Sequence, residues 1–242
     1  MSEITILKVQ LGYGEMINII YPVVLKSEKE MVLIDCGYPG SLPKFKEAAL
    51  TQGVNLDDMT KVIITHHDYD HMGALAEIKS TYPQVQVLAH ANEVPYIQGE
   101  KGSLRLQQAE GMYDFLPEDQ KEGARALQQM FASVSPARVD AFLNDGDRLP
   151  WCGGVEVIAT PGHMPGHISL YLKKYRTLIS GDALAIQGGM LGIANPEYTL
   201  DMEGAKQSVR RLAEYDIDKI ICYHGGIFDH EVKENLQRIG ME

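Results

Sequence analysis

The run Thr65-His-His-Asp-Tyr-Asp-His-Met-Gly73 places four groups able to hold a metal ion, His66, Asp68, Asp70 and His71, within six consecutive residues. In an extended chain alternate side chains share a side. His66, Asp68 and Asp70 are therefore expected to converge, and His67 and Tyr69 to point away. His71 is expected to swing back as the chain turns into a helix near Met72. So many carboxylates and imidazoles resist burial unless cations neutralise them. Metal binding is the reading this favours over a hydrogen-bonded polar turn. Three later places add one candidate each: His163 in Thr160-Pro-Gly-His-Met-Pro-Gly-His167, Asp182 in Ile179-Ser-Gly-Asp-Ala183, and His224 in Ile221-Cys-Tyr-His-Gly-Gly226.

The elements that must deliver these groups are short apolar strands. Lys61-Val-Ile-Ile-Thr65 is a β-branched run ending at the polar segment, the pattern of a buried strand. Further strands are predicted at 4–10, 17–25, 30–35, 85–89, 138–143, 155–159, 167–173, 176–180 and 219–223, with helices at 40–52, 201–215 and 229–239. His163, Asp182 and His224 each fall in a loop next to a strand end. Strands and helices mix in both halves, which implies two packed β-sheets with helices outside. Residues 96–135 differ, being rich in Gln, Glu, Ala, Lys and Leu. They read as helical material inserted in the β-rich frame, on the surface or as a lid over a pocket. Gly12 and Gly14 lack the third glycine and the following helix of a dinucleotide-binding turn.

With those motifs in hand, the chain resembles the metallo-β-lactamase superfamily, whose signature is His-x-His-x-Asp-His followed by a His, an Asp and a His. Val32-Leu-Ile-Asp-Cys-Gly37 also matches the family's usual strand ending in Asp and Gly. The resemblance spans essentially the whole chain and implies an α/β fold, a four-layer αββα sandwich forming a single domain over 1–242. Carried over by position, one metal takes His66, Asp68 and His163, the other takes Asp70, His71 and His224, and Asp182 bridges them. Asp68 departs from the pattern, standing where the family usually has its second His. Flavodiiron proteins carry a Glu there, so a carboxylate is compatible with two metals. Two divalent ions, three aspartates and a bridging hydroxide cancel to a neutral cluster, a weaker Lewis acid open to harder ions. Zinc is the first expectation for the two divalent metal ions, with iron or manganese next.

The resemblance implies a binuclear hydrolase that uses a metal-bridging hydroxide on a small ester, lactone or thioester, with Asp70 passing a proton to the leaving group. The alternatives are an iron-dependent oxidoreductase and a non-catalytic metal-binding sensory module. Acyl-homoserine lactonases share the Thr-Pro-Gly-His-x-Pro-Gly-His loop, but their catalytic Tyr corresponds here to Ala185. Tyr198 and Tyr223 are candidate donors to an oxyanion. Asp35 is expected to hydrogen-bond a ligand loop, His167 to orient a ligand, His90 to be structural, and His230 to lie on the surface.

The net charge of −11, from 33 acidic and 22 basic residues, argues against a nucleic-acid partner. A small-molecule substrate is expected instead. Three cysteines, Cys36, Cys152 and Cys222, fit a reducing compartment better than a disulfide framework. No signal peptide or membrane span is read from the sequence, so a cytoplasmic enzyme without a membrane partner is expected. The pattern carries no signal for oligomeric state.

Overall fold

The computed structural model describes residues 3–13 and 16–242; Gly14 of the glycine pair and the first two residues lie outside this set. The first half supplies β1 (Glu3–Ile6), β2 (Val9–Tyr13), β3 (Met16–Ile20), β4 (Val23–Lys26), β5 (Met31–Ile34), α1 (Leu42–Thr51), β6 (Lys61–Ile64), α2 (Tyr69–Met72), α3 (Leu75–Thr81) and β7 (Gln86–His90). Helices α4 (Val94–Ile97), α5 (Leu104–Tyr113) and α6 (Lys121–Ala132) follow before β8 (Ala141–Leu143). The second half supplies β9 (Arg148–Leu149), β10 (Val155–Ala159), β11 (Ile168–Leu172), β12 (Thr177–Gly181), β13 (Ala185–Gln187), β14 (Met190–Gly192), α7 (Met202–Leu212), β15 (Lys219–Cys222), β16 (Gly226–Phe228) and α8 (Val232–Met241).

Two six-stranded sheets form, in the orders β1-β4-β5-β6-β7-β8 and β16-β15-β12-β11-β10-β9. Strand alternation explains how they stack. Val32, Ile34 and Ile63 of the first sheet share a buried layer with Val157, Leu170, Ile179 and Ile221 of the second. Their neighbours Leu33, Val62 and Ile64 face the other way, against Leu42, Phe45, Leu75 and Ile78 of α1 and α3. On the far side Leu178 and Ile220 pack with Val209 and Leu212 of α7 and Leu236 and Ile239 of α8. The result is the four-layer αββα sandwich. Burying each such aliphatic chain contributes about 1.5–3 kcal/mol.

The parallel part of each sheet positions the site. β5, β6, β7 and β8 pair in parallel, as do β12 and β15. Parallel strands end on one edge, where the following loops meet. Asp35, His66 and Glu93 follow the ends of β5, β6 and β7, and Asp182 and His224 follow those of β12 and β15.

Two expectations are corrected here, and one element lies where none was expected. The strands expected at 4–10 and 17–25 are each broken into two, β1 and β2, then β3 and β4. Pro22 lacks the N–H a ladder needs, and its carbonyl instead accepts from the Leu7 N–H at 2.9 Å. A hairpin, β13 and β14, forms around Gly188 and Gly189, both with positive φ. That Gly-Gly turn was a readable signal. The second correction is the helix after the ligand segment, which begins at Tyr69 and not near Met72. The Asp68 carbonyl starts it, accepting from the His71 and Met72 N–H groups at 3.0 Å. Asp70 and His71 are thus presented by a helical turn, not by strand alternation.

Candidate metal centre

The seven side chains come together. His66 Nε2 and His163 Nε2 lie 3.4 and 3.0 Å from Asp68 Oδ2. His224 Nε2 lies 3.2 Å from Asp70 Oδ2, and His71 Nε2 lies 3.9 Å from it. Asp182 stands between the two groups: its Oδ2 is 3.7 Å from His163 Nε2 and 3.6 Å from His224 Nε2, while its Oδ1 is 3.3 Å from His71 Nε2. Three triads of ligand atoms within 4.8 Å result: His66, Asp68 and His163; His66, His71 and Asp182; and Asp70, His71 and His224.

The chemistry of this donor set fits metal ions. Nε2 of His66, Nε2 of His71 and Oδ1 of Asp182 are buried with no hydrogen-bond partner. Such groups are costly unless something satisfies them, and a cation between imidazole nitrogens and carboxylate oxygens does so. Charge has been distributed accordingly. Burial raises Asp182, but His224, His71 and His163 outweigh it and hold the carboxyl well below its ordinary value. Burial lowers His71, yet Asp182, Asp35 and Asp70 together raise it well above the usual imidazole value. His66 is pushed well down by burial and by His71.

The loops are held by polar groups that touch the cluster only at its back. Asp35, at φ 59°, accepts from Thr65 N and Thr65 Oγ1, both at 2.8 Å, and lies 2.9 Å from His71 Nδ1. That contact fixes the ring with Nε2 aimed at the centre, where a bound cation would displace its proton. His167 Nε2 accepts the Asp182 backbone N–H at 2.9 Å, and its Nδ1 meets Thr160 Oγ1 at 2.8 Å. Burial, then His163, pushes His167 down to about 3, so it is neutral and orients Asp182 as an acceptor. β12 reaches Asp182 through a register shift between Ile179 and Gly181, a bulge that re-aims the chain. Gly162 is required in its loop: φ is +138°, and a Cβ there would lie 2.3 Å from the Ala205 nitrogen.

Other expected residues fall as follows. His67 turns away and stacks on Tyr96 at 4.3 Å. His90 Nδ1 accepts from the Asn92 N–H at 3.2 Å, and His230 is exposed against Phe228. The three cysteines are free and buried. Burial raises the Cys36 thiol, and pushes Cys222 up to about 12, so neither is a ready nucleophile. Tyr223 is corrected as an oxyanion donor: its buried hydroxyl already donates to the Asp70 carbonyl at 2.7 Å. Tyr198 lines the pocket over the cluster, with Asn18, Tyr38, Ala185, Gln187 and Asn195.

Two residues escaped the sequence reading. Buried Glu93 accepts from the His67 N–H at 2.9 Å and the Gly166 N–H at 2.7 Å, and pairs with His67 Nδ1. Arg105, in the first turn of α5, places Nη2 2.7 Å from Asp68 Oδ2 and Nε 3.2 Å from Oδ1. A neutral count for the cluster is thereby corrected, because it omits this guanidinium. Nothing distinguishes Glu93 in its local sequence; Arg105 is marked only as a basic residue between Leu104 and Leu106.

The sequence profile of the metallo-beta-lactamase superfamily matches residues 18–224. The chain belongs to that superfamily. It is 32% identical to the "Probable metallo-hydrolase YflN" of Bacillus subtilis (strain 168), over 85% of this chain and 80% of that protein. It is 27% identical to a hydroxyacylglutathione hydrolase of Yersinia pestis (strain Pestoides F) over 81% of the chain, and spans only 57% of that enzyme's length. Among solved structures, the metallo-beta-lactamase family protein TTHA1429 from Thermus thermophilus superposes with a TM-score of 0.74 at 21% identity, covering 98% of this chain and 78% of that one. TTHA1623, solved in a di-iron-bound form, superposes at 0.65 with 22% identity, covering 94% and 96%. The family match and the two hydrolase relatives mark the superfamily member as a metal-dependent hydrolase in general terms. Among the described residues no helix is long and apolar enough to cross a membrane.

Proposed function

We propose that this superfamily member hydrolyses a small carboxylic ester, lactone or thioester at a centre of two divalent ions. One observation carries the reading: Asp182 Oδ2 lies about equally far, 3.7 and 3.6 Å, from His163 of one triad and His224 of the other. Such a placement supports a carboxylate shared by two ions. His66, Asp68 and His163 would hold one, and Asp70, His71 and His224 the other. Bound there, the pair would supply hydroxide near neutral pH and polarise the bond attacked. Zinc is the first choice, and a set with three carboxylates also suits iron or manganese.

The chain's own groups do the rest. Asp70, at the pocket wall, is placed to pass a proton to the leaving group. Asn18, Asn195 and Tyr198 offer hydrogen bonds to the acyl oxygen and its substituents. The pocket of about 270 Å³ meets a second, more apolar chamber of about 190 Å³ at Arg105, Phe131 and Tyr198. That chamber, walled by Ala109, Met112, Leu116, Ala124 and Leu127 of the α5–α6 hairpin, supports an acyl group with an apolar tail and a lid role for 96–135. The test is metal analysis of the purified protein together with a panel of esters, lactones, thioesters and phosphodiesters. Two ions per chain and metal-dependent cleavage of a carboxylic substrate are expected. Cleavage of phosphodiesters alone, or a redox activity with iron and no hydrolysis, would refute the reading.

A further inference from the structure

Arg105 is 2% exposed and reaches the cluster from the hairpin. Both Asp68 oxygens accept from it, and its Nη2 also lies 3.2 Å from His163 Nε2. Its remaining contacts fix it in place: Nη1 donates to Gln108 Oε1, and the guanidinium lies 5.0 Å from the centre of the Tyr198 ring. The triad of Asp70, His71 and His224 has no such neighbour among the described hydrogen bonds and ion pairs; its carboxylate meets histidines only. The two halves of the cluster therefore differ by one buried guanidinium, a positive charge that, unlike a histidine proton, a bound ion cannot displace.

We propose that Arg105 makes the two metal subsites unequal, so that they load in a fixed order. This rests on the two-ion reading above. The half built from Asp70, His71, His224 and Asp182 fills first. The half built from His66, Asp68 and His163 fills second, because an ion there must share Asp68 with Arg105 and sit beside a like charge. A like charge beside a bound ion weakens its binding, and a difference on the order of 100-fold is expected, partly screened by the solvent that reaches the pocket. Arg105 lies in the first turn of α5, capped by Ser103, and the adjacent Leu104 N–H meets His67 Nε2 at 3.4 Å. Filling the second subsite thus bears directly on the start of the hairpin that walls the pocket.

The experiment is calorimetric titration of zinc into the chelator-treated full-length chain, wild type against Arg105→Met, Arg105→Gln and Arg105→Lys. Wild type and Arg105→Lys should show two steps about 100-fold apart. Arg105→Met and Arg105→Gln should bring the weaker step at least tenfold closer to the tighter one; Gln keeps a hydrogen bond to Asp68 and guards against a Met variant that does not fold. Asp70→Asn should remove the tight step. Hydrogen exchange at residues 103–108 should change with the second equivalent and not the first. Two steps with unaltered spacing in the Met and Gln variants, or loss of the weak step in Asp70→Asn, would overturn the proposal alone. A single equivalent in every variant would overturn the two-ion reading and the proposal with it.

Discussion

Glu93→Ala removes a carboxylate that contacts none of the seven clustered side chains, yet it should weaken both fold and site. Glu93 is fully buried. One oxygen accepts from the His67 N–H at 2.9 Å and engages His67 Nδ1; the other accepts from the Gly166 N–H at 2.7 Å. It is therefore a clasp between the 65–73 segment and the 160–167 loop. Hydrogen bonds to a charged group contribute about 1.5–3 kcal/mol each, and a buried donor left without an acceptor costs about 1–3 kcal/mol. Losing the acceptor for two backbone donors and a ring nitrogen is thus expected to destabilise by about 4 kcal/mol. Supporting groups behind a metal site typically change metal affinity by roughly 10–100-fold, and a fall in that range is expected. Glu93→Gln keeps one carbonyl oxygen but turns an amide N–H toward the other donor, so it should lose about half as much. Urea unfolding followed by the fluorescence of Trp151, the single tryptophan and a buried one, measures the first effect. Metal content after dialysis measures the second. If Glu93→Ala stays within about 1 kcal/mol of wild type and keeps its metal, the two loops are held by packing alone and the clasp argument fails.

Four further outcomes are expected. Asp182→Ala should lower metal content and abolish turnover; two ions per chain with near-normal activity would contradict the shared carboxylate. Asp68→His should lose about 3–5 kcal/mol, because it leaves Arg105 buried and unpaired, and Arg105→Met should recover most of it; a stable single variant in urea unfolding would refute this. Lengthening an unbranched acyl chain should raise kcat/KM about three- to fourfold per methylene until the chamber is full, and a flat series would remove the chamber from the substrate's path. Tyr223→Phe should cost about 1 kcal/mol in stability and leave the rate nearly unchanged, whereas a large fall in kcat alone would restore Tyr223 as an oxyanion donor.

Most of the architecture was legible because it depends on local alternation. Val32, Leu33 and Ile34 assign three successive side chains to two core layers, and such runs mark buried strands without any knowledge of their partners. The clustered residues were legible on three grounds: His66, Asp182 and His224 fall just beyond ends of parallel strands, Asp68, Asp70 and His71 crowd the same short segment, and His163 sits in a Gly/Pro loop between two strands. What the sequence concealed is long-range. Glu93 meets a residue 73 positions away, and Arg105 meets partners 37 and 58 positions away; neither contact leaves a trace in local spacing. The break at Pro22 was readable from the proline itself, whereas the start of α2 at Tyr69 is set by backbone hydrogen bonds to the Asp68 carbonyl and not by side-chain pattern.

The frame and the hairpin divide the work in a way their packing dictates. Helices α1, α3, α7 and α8 each place several residues in a core layer, so they are held by the sheets they cover. The hairpin is different: α5 buries only Arg105 and α6 only Phe131, and both residues line the pocket over the cluster. Its side chains can therefore vary with little effect on the core, and loops or insertions on a rigid frame are where binding residues gather. Arg105 is the exception within that freedom. It is bound to Asp68, so the hairpin cannot shift its first turn without disturbing the charge balance of the cluster, nor can the cluster alter Asp68 without disturbing the hairpin. If the proposed function holds, substrate selection and metal binding are joined at one ion pair, and the residue at position 68 has to be understood together with the residue at 105.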